Sequence, residues 1–316
     1  MLDSLLLYSV TQNASDVHLS SGEKPMMRQL GQMVELSNDV LDADLLESAL
    51  VAMLDDFQRE QFKSQKQLDF SYQKASIGRF RVNVFYQYRG ISAVFRVIKN
   101  DIPTLDDINA PAVLSTLMMK ESGLILVAGA TGSGKSTTLA AMIQQLNQTQ
   151  AKHIITLEDP IEFIYQNELS LIQQRQLYAH YDCFPDALFA VLRQDPDVIL
   201  IGELRDKLTI QAALTAAETG HLVLATLHTN SAIATINRIV DVFEGSLKEF
   251  IRMQLASSLL AVICQKLDDD NNGGRKANFE ILINTPAVSN LIIENKNRQI
   301  ESIMQTGQQY GMKKFD

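Results

Sequence analysis

The chain has 316 residues, 46% of them hydrophobic and 21% charged, without a low-complexity tract; that is ordinary globular composition with enough length for two cores. A formal net charge of −9 disfavours a broad electrostatic footprint for nucleic acid, and no stretch approaches the ~20 apolar residues of a membrane-spanning helix. Its two cysteines, Cys183 and Cys264, lack CxxC spacing, so neither a disulfide framework nor a zinc site is expected.

The N-terminal MLDSLLLYSVTQ carries an acid and no basic residue ahead of its short apolar run, unlike a secretory signal. Leu2, Leu5, Leu6 and Val10 predict one helical stripe, and a second helix is predicted over Ala43 to Phe62. Between them DVHLS and RQLGQMVEL alternate like short strands. Arg79 to Phe85 also alternates polar and apolar, Gly90 turns the chain, and Ile91 to Ile98 returns, a hairpin carrying Arg79, Arg81 and Arg96. By periodicity alone these arginines are solvated or paired with a carboxylate. Residues 1–99 thus read as a small α+β domain, and the short polar stretch 100–105, with Pro103, reads as a linker.

From residue 106 to 316 strands alternate with helices, the signature of a mostly parallel sheet and an α/β class. The apolar run Leu124 to Val127 is a buried strand, followed by Gly129-Ala-Thr-Gly-Ser-Gly-Lys-Ser136 and then Leu139, Met142, Ile143 and Leu146 at helical spacing. Strand, glycine loop and helix in that order are the context a phosphate-binding P-loop requires. Gly132 and Gly134 let backbone N–H groups approach a polyphosphate, and the helix adds its positive end. Lys135 is placed for the β and γ phosphates and Ser136 for Mg²⁺, with Gly129, Thr131, Ser133 and Thr137 completing the nucleotide-binding stretch.

Three further strands end in polar groups: His153 to Leu157 before Glu158, Asp159 and Glu162; Val198 to Ile201 before Glu203; and His221 to Leu227 before His228. Open α/β sheets bind ligands at this carboxyl edge. Glu203 is a candidate for holding Mg²⁺ through water, Glu158, Asp159 and Glu162 for orienting or deprotonating a water, and His228 for hydrogen bonding the γ-phosphate. Farther on, Leu247, Phe250, Ile251, Leu255, Leu259 and Val262 predict an amphipathic helix. Asp268 to Gly274 resembles a calcium loop but fails it in either register, and is read as a hairpin turn.

Together GATGSGKSTT, ITLEDPIEF, LRQDPDVILIGELRD and TAAETGHLVLATLHT closely resemble the Walker A, Asp box, Walker B and His box of the ATPases that drive type IV pili and type II secretion. With ASDVHL and RFRVNVF the resemblance covers nearly the whole chain and is nearest the PilT-type retraction branch, since no tetracysteine module is present. The resemblance implies a RecA-like P-loop core behind a smaller PAS-like domain. It also implies ATP and Mg²⁺ as cofactors, Glu162 as catalytic glutamate, Glu203 as the Walker B acid and His228 in the His box. Arg81 and Arg96 match a pair such enzymes present to a neighbour's nucleotide, which makes them candidate arginine fingers in trans. It further implies a homohexamer at the cytoplasmic face of the inner membrane, docked on a pilus platform protein, with a related pilus ATPase as a further candidate partner. Two departures stand out: Ala287 to Glu294 has Ser289 and Ile293 where the retraction-associated motif has arginines, and the chain ends where relatives continue with more helix. Retraction motor, accessory ATPase of a pilus or type II secretion system, and nucleic-acid translocase are the readings in play, the acidic balance counting against the last.

Overall fold

The computed structural model describes residues 2–98, 101–269 and 274–315. The chain divides into two compact units, Met1–Asp101 and Ile102–Asp316. Lys99 and Asn100, at the expected junction, and the centre of the expected turn over Asp268 to Gly274 lie outside the described residues.

The first unit is a six-stranded antiparallel sheet of β1 (Asp16–Ser20), β2 (Met26–Gln29), β3 (Gln32–Glu35), β4 (Gln67–Lys74), β5 (Gly78–Gln87) and β6 (Gly90–Ile98), in the order β3-β2-β1-β6-β5-β4. Period-two alternation sends Phe80, Val82 and Val84 inward to join Leu6, Leu46 and Leu50 from the helices. The helix predicted over Ala43 to Phe62 is two helices, Ala43–Val51 and Asp56–Gln65. Asp55 is the reason: its side chain accepts the Gln58 N–H while Gln58 accepts the Asp55 N–H, a capping box that starts a new helix.

In the second unit a seven-stranded sheet runs β13-β12-β7-β11-β10-β8-β9. Its members are β7 (Gly123–Ala128), β8 (His153–Glu158), β9 (Leu171–Gln176), β10 (Val198–Ile201), β11 (Leu222–Leu227), β12 (Leu259–Asp269) and β13 (Arg275–Ile283). All pairs are parallel except β12 with β13. Buried on both faces, the central strands β7, β10 and β11 are continuous apolar runs. Leu124 and Leu126 pack with Ile210, Leu214, Ile236, Ile239 and Leu255, while Ile125 and Val127 pack with Leu139, Met142 and Ile143 of the helix Lys135–Thr149 on the other side. The helix expected to run through Leu259 and Val262 stops at Ser258, and both residues belong to β12. Of the predicted face only Ile251 and Leu255 are buried on that helix, Leu247 and Phe250 being exposed. At the outer strand, Ile281 N–H donates to Lys313 O at 2.7 Å and Lys313 N–H to Ile281 O at 3.0 Å.

Candidate functional site

Strands β7, β11, β10 and β8 are consecutive in the sheet, so their carboxyl ends form one edge. The P-loop leaves β7 at Gly129, whose φ of 150° and closeness to β12 leave no room for a side chain: an added Cβ would stand 2.3 Å from Gln265 O. Gly134 caps the Lys135–Thr149 helix in the left-handed region, φ 89°, and no side chain caps that helix's first turn. Ser133 Oγ is buried without a partner. Thr131 and Gly132 lie exposed at the crest of the loop, and Thr137 beside Gly134 lines the same side as Leu267 and Arg275.

Lys135 Nζ donates to Gly129 O at 2.6 Å and Ala130 O at 3.0 Å, and lies 3.5 Å from His228 Nδ1. Burial pushes its ammonium below the usual lysine range, while Glu203 and Glu162 oppose that shift by favouring the charge. His228 Nε2 is 3.4 Å from Glu203 Oε1, so His228 stands between the lysine and the acid. Ser136, Glu162, Glu203, Asp159 and Arg205 line one cleft over the strand ends.

The three carboxylates at and just past the end of β8 differ in their surroundings. Glu158 is held inward: it accepts from Thr156 Oγ1 at 2.7 Å and from Gln174 Nε2 at 3.1 Å. Desolvation dominates there and pushes its carboxyl above the usual range. Asp159 Oδ2 lies 4.0 Å from Arg205 Nη1, and Arg205 Nε donates to Glu203 Oε2 at 2.7 Å. Asp159 and Glu162 are both exposed and line the cleft, Asp159 toward Arg205. Arg205 escaped the sequence reading; its signal was a basic residue two positions beyond a strand-end acid.

This donor set fits a polyphosphate with a hard cation. Among the described residues no group of three or more His, Cys, Asp and Glu side chains gathers to hold a metal. Magnesium here would therefore use the Ser136 hydroxyl, the Glu203 carboxylate through water, and phosphate oxygens.

Residues 1–278 match the family of type II/IV secretion system proteins. The chain belongs to that family. It is 50% identical over 314 residues, 99% of this chain and 95% of the relative, to the uncharacterized protein YggR of Escherichia coli (strain K12). It is 45% identical over 315 residues, 100% of this chain and 92% of the relative, to the type IV pilus retraction ATPase PilT of Pseudomonas aeruginosa. The solved structure of the pilus retraction motor PilT with bound ADP matches with a TM-score of 0.93 at 42% identity, over 96% of this chain and 89% of that one. The PilT-type resemblance and the RecA-like fold expected from the four boxes are thus borne out.

Arg81 and Arg96 are the two arginines expected to serve a neighbour's nucleotide. In this chain they lie in the first unit, directly opposite each other on β5 and β6. Like charges in that register repel, and each has a carboxylate: Arg96 Nε donates to Asp16 Oδ1 at 2.9 Å, and Arg81 Nε is 4.0 Å from Asp69 Oδ1. Asp16 is buried while the Arg96 side chain stays 67% exposed, so the acid holds the guanidinium at Nε on an otherwise open side chain.

Proposed function

We propose that this chain is an ATP-hydrolysing motor of type IV pilus retraction, with the first unit as its PAS-like domain and the second as its ATPase domain. One observation carries the reading: the P-loop lysine, the Walker B acid, the His-box histidine and the Asp-box glutamate meet over four adjacent strand ends, in a chain similar throughout to PilT. The Lys135 ammonium, now on loop carbonyls, turns to the β and γ phosphates, which replace those acceptors with charged ones. Loop N–H groups from Gly132 to Thr137 and the helix N-terminus bind the remaining phosphate oxygens. Ser136 and, through water, Glu203 would hold Mg²⁺, which would supply neutralisation of phosphate charge. Glu162 orients and deprotonates the attacking water, and His228 hydrogen-bonds the γ-phosphate while reporting its presence to Glu203.

Arg81 and Arg96 serve a neighbouring subunit's nucleotide in trans within a homohexamer, which docks on a platform protein at the cytoplasmic face of the inner membrane. A second reading, an accessory ATPase working beside a related pilus motor, draws on the helix Pro286–Ile293. Ser289 Oγ there donates inward to Ala256 O at 3.1 Å and lies 3.0 Å from Asn284 Oδ1, and Ile293 is an exposed apolar residue; arginine at either position would change that face. Counting surface pili in the source bacterium after gene deletion, beside a Lys135→Ala strain, tests both. More pili with motility lost is the outcome expected of a retraction motor. Fewer pili overturns it, and an unchanged count points to the accessory role.

A further inference from the structure

Glu162 sits on a segment without regular structure: no helix or strand covers residues 159–170, so no backbone ladder fixes its place. Asn147 of the helix Lys135–Thr149 holds its far end, at Gln166 O and the Glu168 N–H, and side chains of the neighbouring edge strand hold the part around Glu162. Gln174 of β9 donates from Nε2 to Phe163 O at 2.7 Å and to Glu158 Oε1 at 3.1 Å, and its Oε1 accepts the Tyr165 N–H at 3.1 Å. Two residues along, on the same face of the strand, Gln176 Oε1 accepts the Ile161 N–H at 3.3 Å. Backbone groups at 161, 163 and 165 are thus tied to two side chains of β9.

We infer that Gln174 is a positioning residue for hydrolysis, its amide clamping the loop that aims Glu162 into the cleft. Only an amide of this length does the task. It offers two N–H donors and one acceptor at one point, where glutamate lacks the donors, methionine lacks both, and asparagine is a methylene short. Gln174 is not among the residues lining the cleft, so it acts through Glu162 and not on the nucleotide. The inference rests on the reading of Glu162 as the water-activating carboxylate.

The test uses the purified full-length chain and four variants: Gln174→Met, Gln174→Glu, the exchange Glu158→Gln with Gln174→Glu, and Glu162→Gln. Steady-state ATP turnover is measured beside equilibrium binding of a fluorescent ADP analogue. Gln174→Met and Gln174→Glu are expected to lower kcat about 10-fold to 100-fold, the scale of an angstrom-level misplacement of a catalytic group. KM and ADP-analogue affinity stay within about 2-fold, because the clamp acts only on the transition state. Gln174→Glu keeps the volume and the Tyr165 acceptor, and carries the test if the methionine variant does not fold. The exchange restores a donor facing an acceptor across positions 158 and 174 but leaves Phe163 O without its donor, so it is expected to remain at least about 5-fold below the parent. A kcat within about 2-fold of the parent for Gln174→Met and Gln174→Glu, an affinity that falls in step with kcat, or an exchange with parent-like turnover would each overturn the inference. Parent-like turnover by Glu162→Gln would instead overturn the reading of Glu162 on which it rests.

Discussion

Glu280 offers a measurement of how the His228 loop is held. This β13 residue is buried, yet its Oε1 accepts the Ala232 N–H at 2.7 Å, at the first turn of the helix Ala232–Asp241, three residues after Thr229. Ser231 caps the same turn through the Ala234 N–H. A hydrogen bond to a charged group contributes about 1.5–3 kcal/mol, and a carboxylate at a partly buried helix N-terminus adds about 0.3–2 kcal/mol. Desolvating the carboxylate offsets part of this, so Glu280→Ala is expected to cost about 3 kcal/mol, with the Ala232 N–H left buried and unpaired. At about 2–4 °C per kcal/mol for a unit of this size, the melting midpoint falls by about 6–12 °C. Glu280→Gln keeps an acceptor in place and lacks only the charge, so it stays within about 1 kcal/mol of the parent. Thermal and denaturant unfolding followed by circular dichroism reads both. An alanine variant as stable as the glutamine one would refute the assignment of the hydrogen bond as the stabilising element.

Glu162→Gln should leave nucleotide binding intact and slow hydrolysis by about 10²-fold to 10⁴-fold, the usual range for a general base; equal rates remove it from the mechanism. Glu203→Gln should raise the Mg²⁺ concentration needed for half-maximal turnover and lower kcat, and an unchanged magnesium titration would take Glu203 out of the metal site. Mixing an Arg81→Ala chain with a Lys135→Ala chain should restore activity in mixed assemblies; its absence, with mixing shown, counts against shared sites. Tyr86 donates to Glu47 Oε1 at 2.5 Å and stacks on Phe62, and that bond, with desolvation second, pushes the phenol to about 12. Because the folded value is raised, this contribution is complete below the ordinary tyrosine pKa near 10 and is lost as pH climbs toward about 12. A Tyr86→Phe chain should lack that component of alkaline destabilisation, seen in melts taken across the interval.

The legibility of this chain follows from what each element depends on. The parallel strands were readable because burial on both faces writes them as apolar runs, as in Leu124 to Val127 and Val198 to Ile201, with polar groups set at their ends. β4 went unread although Leu68 and Phe70 alternate with polar residues, and β9, Leu-Ile-Gln-Gln-Arg-Gln, carried little apolar signal because its inward contacts are amides on a loop. Leu259 and Val262 were assigned to a helix because a short apolar run satisfies both periods, and pairing with β7 decided for strand. The residues around the P-loop could be listed from motifs. The separation of Glu158, hydrogen-bonded inward, from Asp159, beside Arg205, and from Glu162 could not, since it is set by Thr156, Gln174 and Arg205 arriving from three different strands or strand ends.

The bridge between Ile281 and Lys313 has a consequence for how this molecule meets its surroundings. A sheet that ends in an open strand offers its unpaired backbone to any other extended chain, and such edges nucleate aggregation and domain exchange. Here β13 closes the sheet on that side, and the outward N–H and C=O of Ile281 are both taken by the chain's own later segment. At that rung a neighbouring molecule can engage this flank through side chains but cannot extend the sheet across it, which favours discrete, separable contacts over a continuous β-structure.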